Sequence, residues 1–472
     1  MRLSLWQSIQ ESADTPTTRA AMIGAAVVFV LLVVSLGSVL VLGPYALDSV
    51  LLLQFLMVAG TTALFLLTQL PQAGIPLLLV AGLLVKMELG TGTQSGFNGA
   101  LLLSPVLIAV YVVRIMFHRD QHRPLLSQTV TPLRVFMIVV CIAFLVGQYP
   151  WFTAAPAPMH AQLGQLAIFL FSGGVFLVAA HQLQDIRWLK VTTWLLIGMG
   201  SVHLLPRILT NWSVWRLLPS SVSSGSMYWT WLVALSFGQV AINRDLNRWA
   251  RLLLACVPLA ALAIGISERD WLSGWLPPLM AVYIILFLRF PSAMVVLTPL
   301  LSVVGLVGAN MFSGLVMGSD NQYSFMTRSA AIQSMLPLIM TNPLLGVGLA
   351  NYYHYSALTP IMGWYVKFNS HNNYLDLLAQ SGVLGVGCFL WFALAVGLTA
   401  WRMHPRFLPG FERAYVCSVL AGLVATLAAA GMGDWVLPFV YNTGFAGFRS
   451  SIIPWVFMGG LVALEQRLGR RA

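Results

Sequence analysis

The residues of this chain best equipped for chemistry gather between Arg328 and Phe389. Arg328, His354, Lys367 and His371 stand there among several tyrosines and the pair Asn372–Asn373. A guanidinium can hold a phosphate through two parallel hydrogen bonds, which an ammonium cannot match. An imidazole that titrates near neutrality can take a proton from a hydroxyl. Such a set suits a reaction in which a phosphorylated group is held while a hydroxyl attacks.

Spacing adds local structure. Thr327 to Met340 carries helical apolar spacing broken by Pro337, which predicts an amphipathic helix lying along a membrane interface with Arg328 at its start. Gly346 and Gly348 flank one residue, suiting a tight turn with free backbone amides. Ser370 or Asn369 is expected to cap a helix whose first turn holds His371, Asn372 and Asn373. The start of that helix would favour an anion. His371, Tyr374, Leu375 and Leu378 would then share one face.

The elements that must position these groups are membrane spans. Of 472 residues, 58% are apolar and 8% charged, against roughly 25% charged in an average soluble domain. Apolar runs near the length needed to cross a bilayer recur throughout. The expected fold is an all-α polytopic membrane protein of about 12–14 transmembrane helices. Residues 1–315 form a helical scaffold, 316–370 a large extracytoplasmic loop with its interfacial helix, and 371–472 the last spans. The first twenty residues lack a cleavable signal, so the first span is expected to act as an anchor. The four cysteines fall in predicted spans without metal or disulfide spacing.

The net charge of +11 follows from orientation. With the N-terminus in the cytoplasm, all but seven basic residues fall on cytoplasmic ends and loops, as the positive-inside bias requires. No nucleic-acid partner is implied. The seven left outside are Lys86, Arg207, Arg216, Arg269, Arg328, Lys367 and Arg449. Cationic groups at that interface are suited to hold a lipid-linked phosphate.

Two motifs complete the reading. N-P-L-L-G-V-G-x-x-N-Y runs from Asn342 to Tyr352, and H-N-x-Y-L-x-x-L-x-x-x-G-x-x-G-x-x-x-F from His371 to Phe389. The pair, with Arg328 upstream, resembles the signature of the O-antigen ligase and O-antigen polymerase superfamily of bacterial lipid-linked glycan ligases and polymerases. The resemblance implies a GT-C-type, metal-independent glycosyltransferase without cofactor. It would move a glycan from undecaprenyl diphosphate to an acceptor hydroxyl on a glycan or lipid. The setting would be the bacterial inner membrane, with the active site on the periplasmic face. His371 matches the family's essential His and Arg328 the loop Arg that binds the diphosphate. The second family Arg corresponds to Arg216 or Arg207, with Arg216 slightly favoured. This chain departs from the family there, carrying SSVSSGSMYW where an Asn often follows the Arg. Asn372, Tyr374, Gly346, Gly348 and Lys367 are expected in supporting roles.

The acidic pair Glu268–Asp270 reads as a solvated turn rather than a metal site. A repeat-unit polymerase uses the same parts on another acceptor. A flippase would place its ionisable groups within the spans, where Asp376 is the main exception. Tyr352, Tyr353, Tyr355, Trp364 and Tyr365 read as an interfacial aromatic belt.

Overall fold

The computed structural model describes residues 70–86, 88–90, 96–117, 125–209, 218–267, 271–307 and 319–470. The chain divides into two units, Met1–Gly74 and Ile75–Ala472, and nearly all described residues belong to the second. The apolar runs 20–42 and 50–70 lie almost wholly outside the described residues, as do Arg216, Arg269 and the Glu268–Asp270 pair.

The elements run α1 (Gly74–Leu83), a hairpin of β1 (Glu88–Gly90) and β2 (Gly96–Asn98), α2 (Gly99–Phe117), α3 (Val130–Val146), α4 (Met159–Gln182) and α5 (Ile186–Val202). Short helices α6 (Leu205–Ile208) and α7 (Ser220–Ser223) precede α8 (Ser226–Ile242), α9 (Arg248–Ser267), α10 (Leu272–Arg289) and α11 (Pro291–Val307). The expected outer loop holds α12 (Ser319–Thr341) and α13 (Asn351–Tyr355). Then come α14 (Asn373–Met403), α15 (Phe411–Ala430) and α16 (Gly444–Gly469). Among the described residues, eight helices are long and apolar enough to cross a bilayer, and three more are apolar but shorter. The chain is an all-α polytopic membrane protein.

Its centre is α8, which packs on α9, α10, α15 and α16. Several polar groups buried along α8 are satisfied within the protein, as an apolar surrounding favours. Thr230 and Ser236 donate to the carbonyls of Ser226 and Leu232 one turn back, at 2.9 and 2.6 Å, and the Trp231 indole N–H donates to Thr426 Oγ1 at 2.9 Å. Helix α16 is buried nearly end to end and lies against α4. At Gly459 a side chain would meet the Phe176 carbonyl oxygen at 2.5 Å, so a small residue sets that approach.

Helix α1 is about 15 Å long by helical rise, half the apolar thickness of a bilayer. A helix that ends there needs partners for its last carbonyls. His203 Nε2 lies 2.7 Å from the Leu83 oxygen, and Arg449 Nη1 donates to Gly82 and Val85 at 3.1 and 2.7 Å. Arg449, expected on an outer surface, is therefore fully buried inside the protein as a cap on α1. The Gly-rich segment after α1 begins and ends in the β1–β2 hairpin, whose strands pair antiparallel with Leu89 opposite Phe97.

Candidate active site

The two sequence motifs meet in a single packing event. Helix α14 is broken at Gly382, whose φ of 66° and ψ of −167° leave the helical region. The break frees the amides of Val383 and Leu384, and they donate to the carbonyls of Pro343 and Leu344 at 2.8 and 3.2 Å. In return, Val347 N–H donates to Ala379 O at 2.9 Å and Ala350 N–H to Gln380 Oε1 at 3.0 Å. The Asn-Pro-Leu-Leu-Gly-Val-Gly segment is thus clamped into the kink. Asn351 secures its far end, donating to Gly147 O at 2.9 Å and accepting from Ala157 N–H at 3.0 Å. These bonds fix the loop against the helix that carries His371 on its N-terminal side.

The start of α14 differs from expectation. Asn372 is the cap, and its side-chain oxygen accepts from the amides of Tyr374 and Leu375. His371 sits one residue outside the helix in the left-handed region, at φ 48°, a conformation that costs a non-glycine residue about 1–2 kcal/mol. The shared helical face with Tyr374 does not form, and Asn372 occupies the amides expected to greet an anion. Ser370 turns inward instead, its hydroxyl donating to Asp376 Oδ1 at 2.6 Å.

What holds His371 in that strained position is a buried polar cluster. Its N–H donates to Asn369 Oδ1 at 3.2 Å. The Tyr352 hydroxyl donates to Asp376 Oδ1 and sits 3.0 Å from Asn369 Oδ1. Burial, then the Asp376 carboxyl, push the Tyr352 hydroxyl well above the ordinary phenol range, so it remains a donor. Asn372 Nδ2 donates to Gly431 O at 3.2 Å. Asn373 bonds Leu437 O and the amides of Val436 and Leu437, tying the segment to the connection between α15 and α16.

That connection supplies the residue sequence reasoning missed. Asp434 is 1% exposed. Its Oδ2 accepts from Phe439 N–H at 2.8 Å and Thr443 Oγ1 at 3.0 Å, and its Oδ1 from Asn442 Nδ2 at 2.6 Å. The second hydrogen of that amide reaches His371 Nδ1 at 3.2 Å. A ring nitrogen that receives a hydrogen bond keeps its lone pair, so the neutral ring carries its proton on Nε2. Arg328 donates from Nη1 to Met432 O at 3.0 Å, on the same connection. Burial pulls His371 below its ordinary value, Asp434 raises it, and Arg328 lowers it. Burial likewise lowers Arg328, and Asp434 opposes that. Imidazole, guanidinium and carboxylate therefore lie within electrostatic reach of one another. The signal available in the sequence was an acidic residue in an otherwise apolar connection, in a chain with only 14 Asp and Glu.

Residues 217–390 match the family described as O-antigen ligase. That segment is similar to the O-antigen ligase family. None of the curated proteins matches the chain in sequence. The matched segment spans Arg328, His371 and both clamped motifs, and stops short of Asp434 and Asn442.

Within and beside the matched segment, the structure brings His371, Arg328 and Asn372 together. Tyr374 anchors the helix, its hydroxyl donating to Leu427 O at 2.6 Å. Free amides at the Gly-x-Gly turn are not found at Gly346, whose N–H donates to Asn342 O at 2.8 Å. Side chains at Gly346 and Gly348 would strike the α14 backbone and Gly147, so both glycines serve close packing. Arg207 is exposed on α6, near Tyr228 of α8. Lys367 is exposed, with Nζ 3.3 Å from His354 Nδ1. The expected aromatic belt divides: Tyr352 and Tyr355 are fully buried, whereas Trp364 and Tyr365 are 74% and 69% exposed.

Proposed function

We propose that this protein is a ligase that transfers a glycan from undecaprenyl diphosphate to an acceptor hydroxyl, at the periplasmic face of the bacterial inner membrane. The observation that carries this reading is that one connection holds both groups: Asn442 links His371 to Asp434, and Arg328 bonds Met432 O. Arg328 meets the charge that develops on the departing diphosphate, the kind of stabilisation that weighs most in such a transfer. Arg207 or Arg216 supplies the second guanidinium. With two positioned cations, the reading assigns the leaving-group work to protein side chains rather than to a metal.

His371 takes the proton of the acceptor hydroxyl. Nδ1 holds the free lone pair, so the hydroxyl arrives from the Asn442 side and takes the place of its amide hydrogen. Asp434 steadies the imidazolium that forms. In-line attack by that hydroxyl on the anomeric carbon inverts its configuration.

The test uses the full chain in lipid vesicles with an undecaprenyl-diphosphate-linked glycan, supplied with either a lipid A core acceptor or a second lipid-linked glycan. A new glycosidic bond of inverted configuration to the lipid A core, with undecaprenyl diphosphate released, supports the ligase. Growth of the lipid-linked chain alone reassigns the protein as a polymerase. Movement of the donor across the bilayer without a new bond overturns the reading.

A further inference from the structure

Beside His371 lies a second cluster that the transfer chemistry does not use. Tyr353 and Tyr441 stack at 4.4 Å between ring centroids, 15° from parallel, and Phe439 meets Tyr353 edge-on at 6.3 Å. His354 bridges the aromatic pair to Lys367: Nε2 is 3.0 Å from the Tyr441 hydroxyl and Nδ1 is 3.3 Å from Lys367 Nζ. The direction of this chain follows from what each group can do. An ammonium only donates, so His354 Nδ1 accepts and its proton sits on Nε2, which donates to the Tyr441 oxygen. The hydroxyl hydrogen of Tyr441 is thereby left to donate elsewhere. Lys367 retains two further N–H groups, and its partner here is a neutral imidazole rather than a carboxylate. Burial and the Lys367 charge both hold His354 below its ordinary value, in keeping with that neutral form.

The cluster is therefore rich in outward donors on an aromatic base. Tyr353, His354 and Tyr441 are half-buried and Lys367 is exposed. It adjoins the candidate active site directly, since Asn442, the next residue after Tyr441, bonds His371. A partner for such a surface must bring oxygen acceptors, a negative charge and a flat C–H face that can lie against an aromatic ring. We propose that Tyr353, His354, Lys367 and Tyr441 form a recognition subsite for a carboxylate-bearing sugar residue of the glycan handled by this protein. The carboxylate pairs with Lys367, and a ring or hydroxyl oxygen accepts from Tyr441. This inference rests on the glycan-transfer reading for its class of ligand and adds the part of the glycan that is read.

The test measures binding, not turnover, and so separates the two. The glycan is released from the strain's own lipid-linked donor by mild acid. Its binding to the full chain in lipid nanodiscs is followed by saturation-transfer nuclear magnetic resonance. The wild type is expected to bind it. Tyr441→Phe, which removes one hydroxyl and keeps the stack, is expected to weaken binding about five- to tenfold, the worth of a hydrogen bond. Lys367→Met, at an exposed position that does not endanger folding, should weaken binding of the native glycan by a similar factor. It should have little effect on a glycan whose carboxylates have been chemically reduced to alcohols. Absence of binding by the wild type, equal binding by both variants, or equal affinity of the wild type for native and carboxyl-reduced glycan would overturn the subsite. A failure of bond formation in vesicles alongside intact glycan binding would instead count against the transfer reading alone.

Discussion

Asn442 Nδ2 stands 3.2 Å from Nδ1 of His371, and the same amide nitrogen stands 2.6 Å from Asp434 Oδ1. One exposed amide thus links a buried carboxylate to the imidazole and selects which ring nitrogen is basic. The arrangement has a sign that can be measured. In the proposed mechanism transfer needs the neutral imidazole, so the rate should fall as pH drops through the His371 value, which burial already holds low. Asp434 raises that value, so Asp434→Asn should move the acid limb of the pH–rate profile to lower pH, by about one unit. A shift to higher pH, or none, would break the proposed link.

Gly382 is the hinge on which the two motifs close. An alanine there would place its Cβ 2.2 Å from the Leu344 carbonyl carbon, in a left-handed backbone besides. Overpacking and the conformational penalty together cost about 2–5 kcal/mol. Gly382→Ala is therefore expected to lower the melting temperature and release the Asn342–Gly348 segment to proteolysis. Gly387→Ala, where a side chain meets open space, should do neither.

Tyr352 acts on His371 through Asp376 and Asn369. Tyr352→Phe removes one hydroxyl and leaves Asp376 Oδ1 with Ser370 as its remaining side-chain donor. A buried acceptor that loses a partner costs about 1–3 kcal/mol. The expected outcome is reduced kcat with little change in the KM for donor, because the imidazole rather than the diphosphate site loses its support. An effect confined to KM would contradict that role.

Arg449 gives the opposite expectation. Its guanidinium caps α1 from inside the protein, and charge-assisted bonds of this kind are worth about 1.5–3 kcal/mol each. Arg449→Ala should lower stability by about 3 kcal/mol or more while activity per folded molecule stays near the wild-type level. Melting curves and active-site-normalised rates separate the two quantities.

The spans were legible because apolar length is a local signal: the apolar run Ser226–Ile242 is α8. That Arg328 and His371 would stand at one candidate site was legible too, from an arginine and a histidine in the one long stretch set apart from the spans. The cap at Asn372 was not, since Ser370 and Asn369 are equally good caps by type. The decision was made by Asp376, which draws Ser370 inward from the next helical turn. Arg449 misled for a related reason: its position in an outer segment says nothing of the half-length helix it must cap. Asp434 and Asn442 lie in an aperiodic connection, and only the docking of that connection onto Asn372 and Asn373 brings them to His371.

The central claim is that Arg328 and His371 serve one reaction at one place. Its most direct test is the rate of glycosidic bond formation from the undecaprenyl-diphosphate-linked donor, by the full chain in vesicles, for His371→Ala, Arg328→Ala and the double variant. A loss on the order of 10²–10⁴-fold is expected for His371→Ala, with a double variant little slower than the slower single one, as for residues that act as a unit. Near-normal turnover by His371→Ala, or losses that multiply in full, would contradict it.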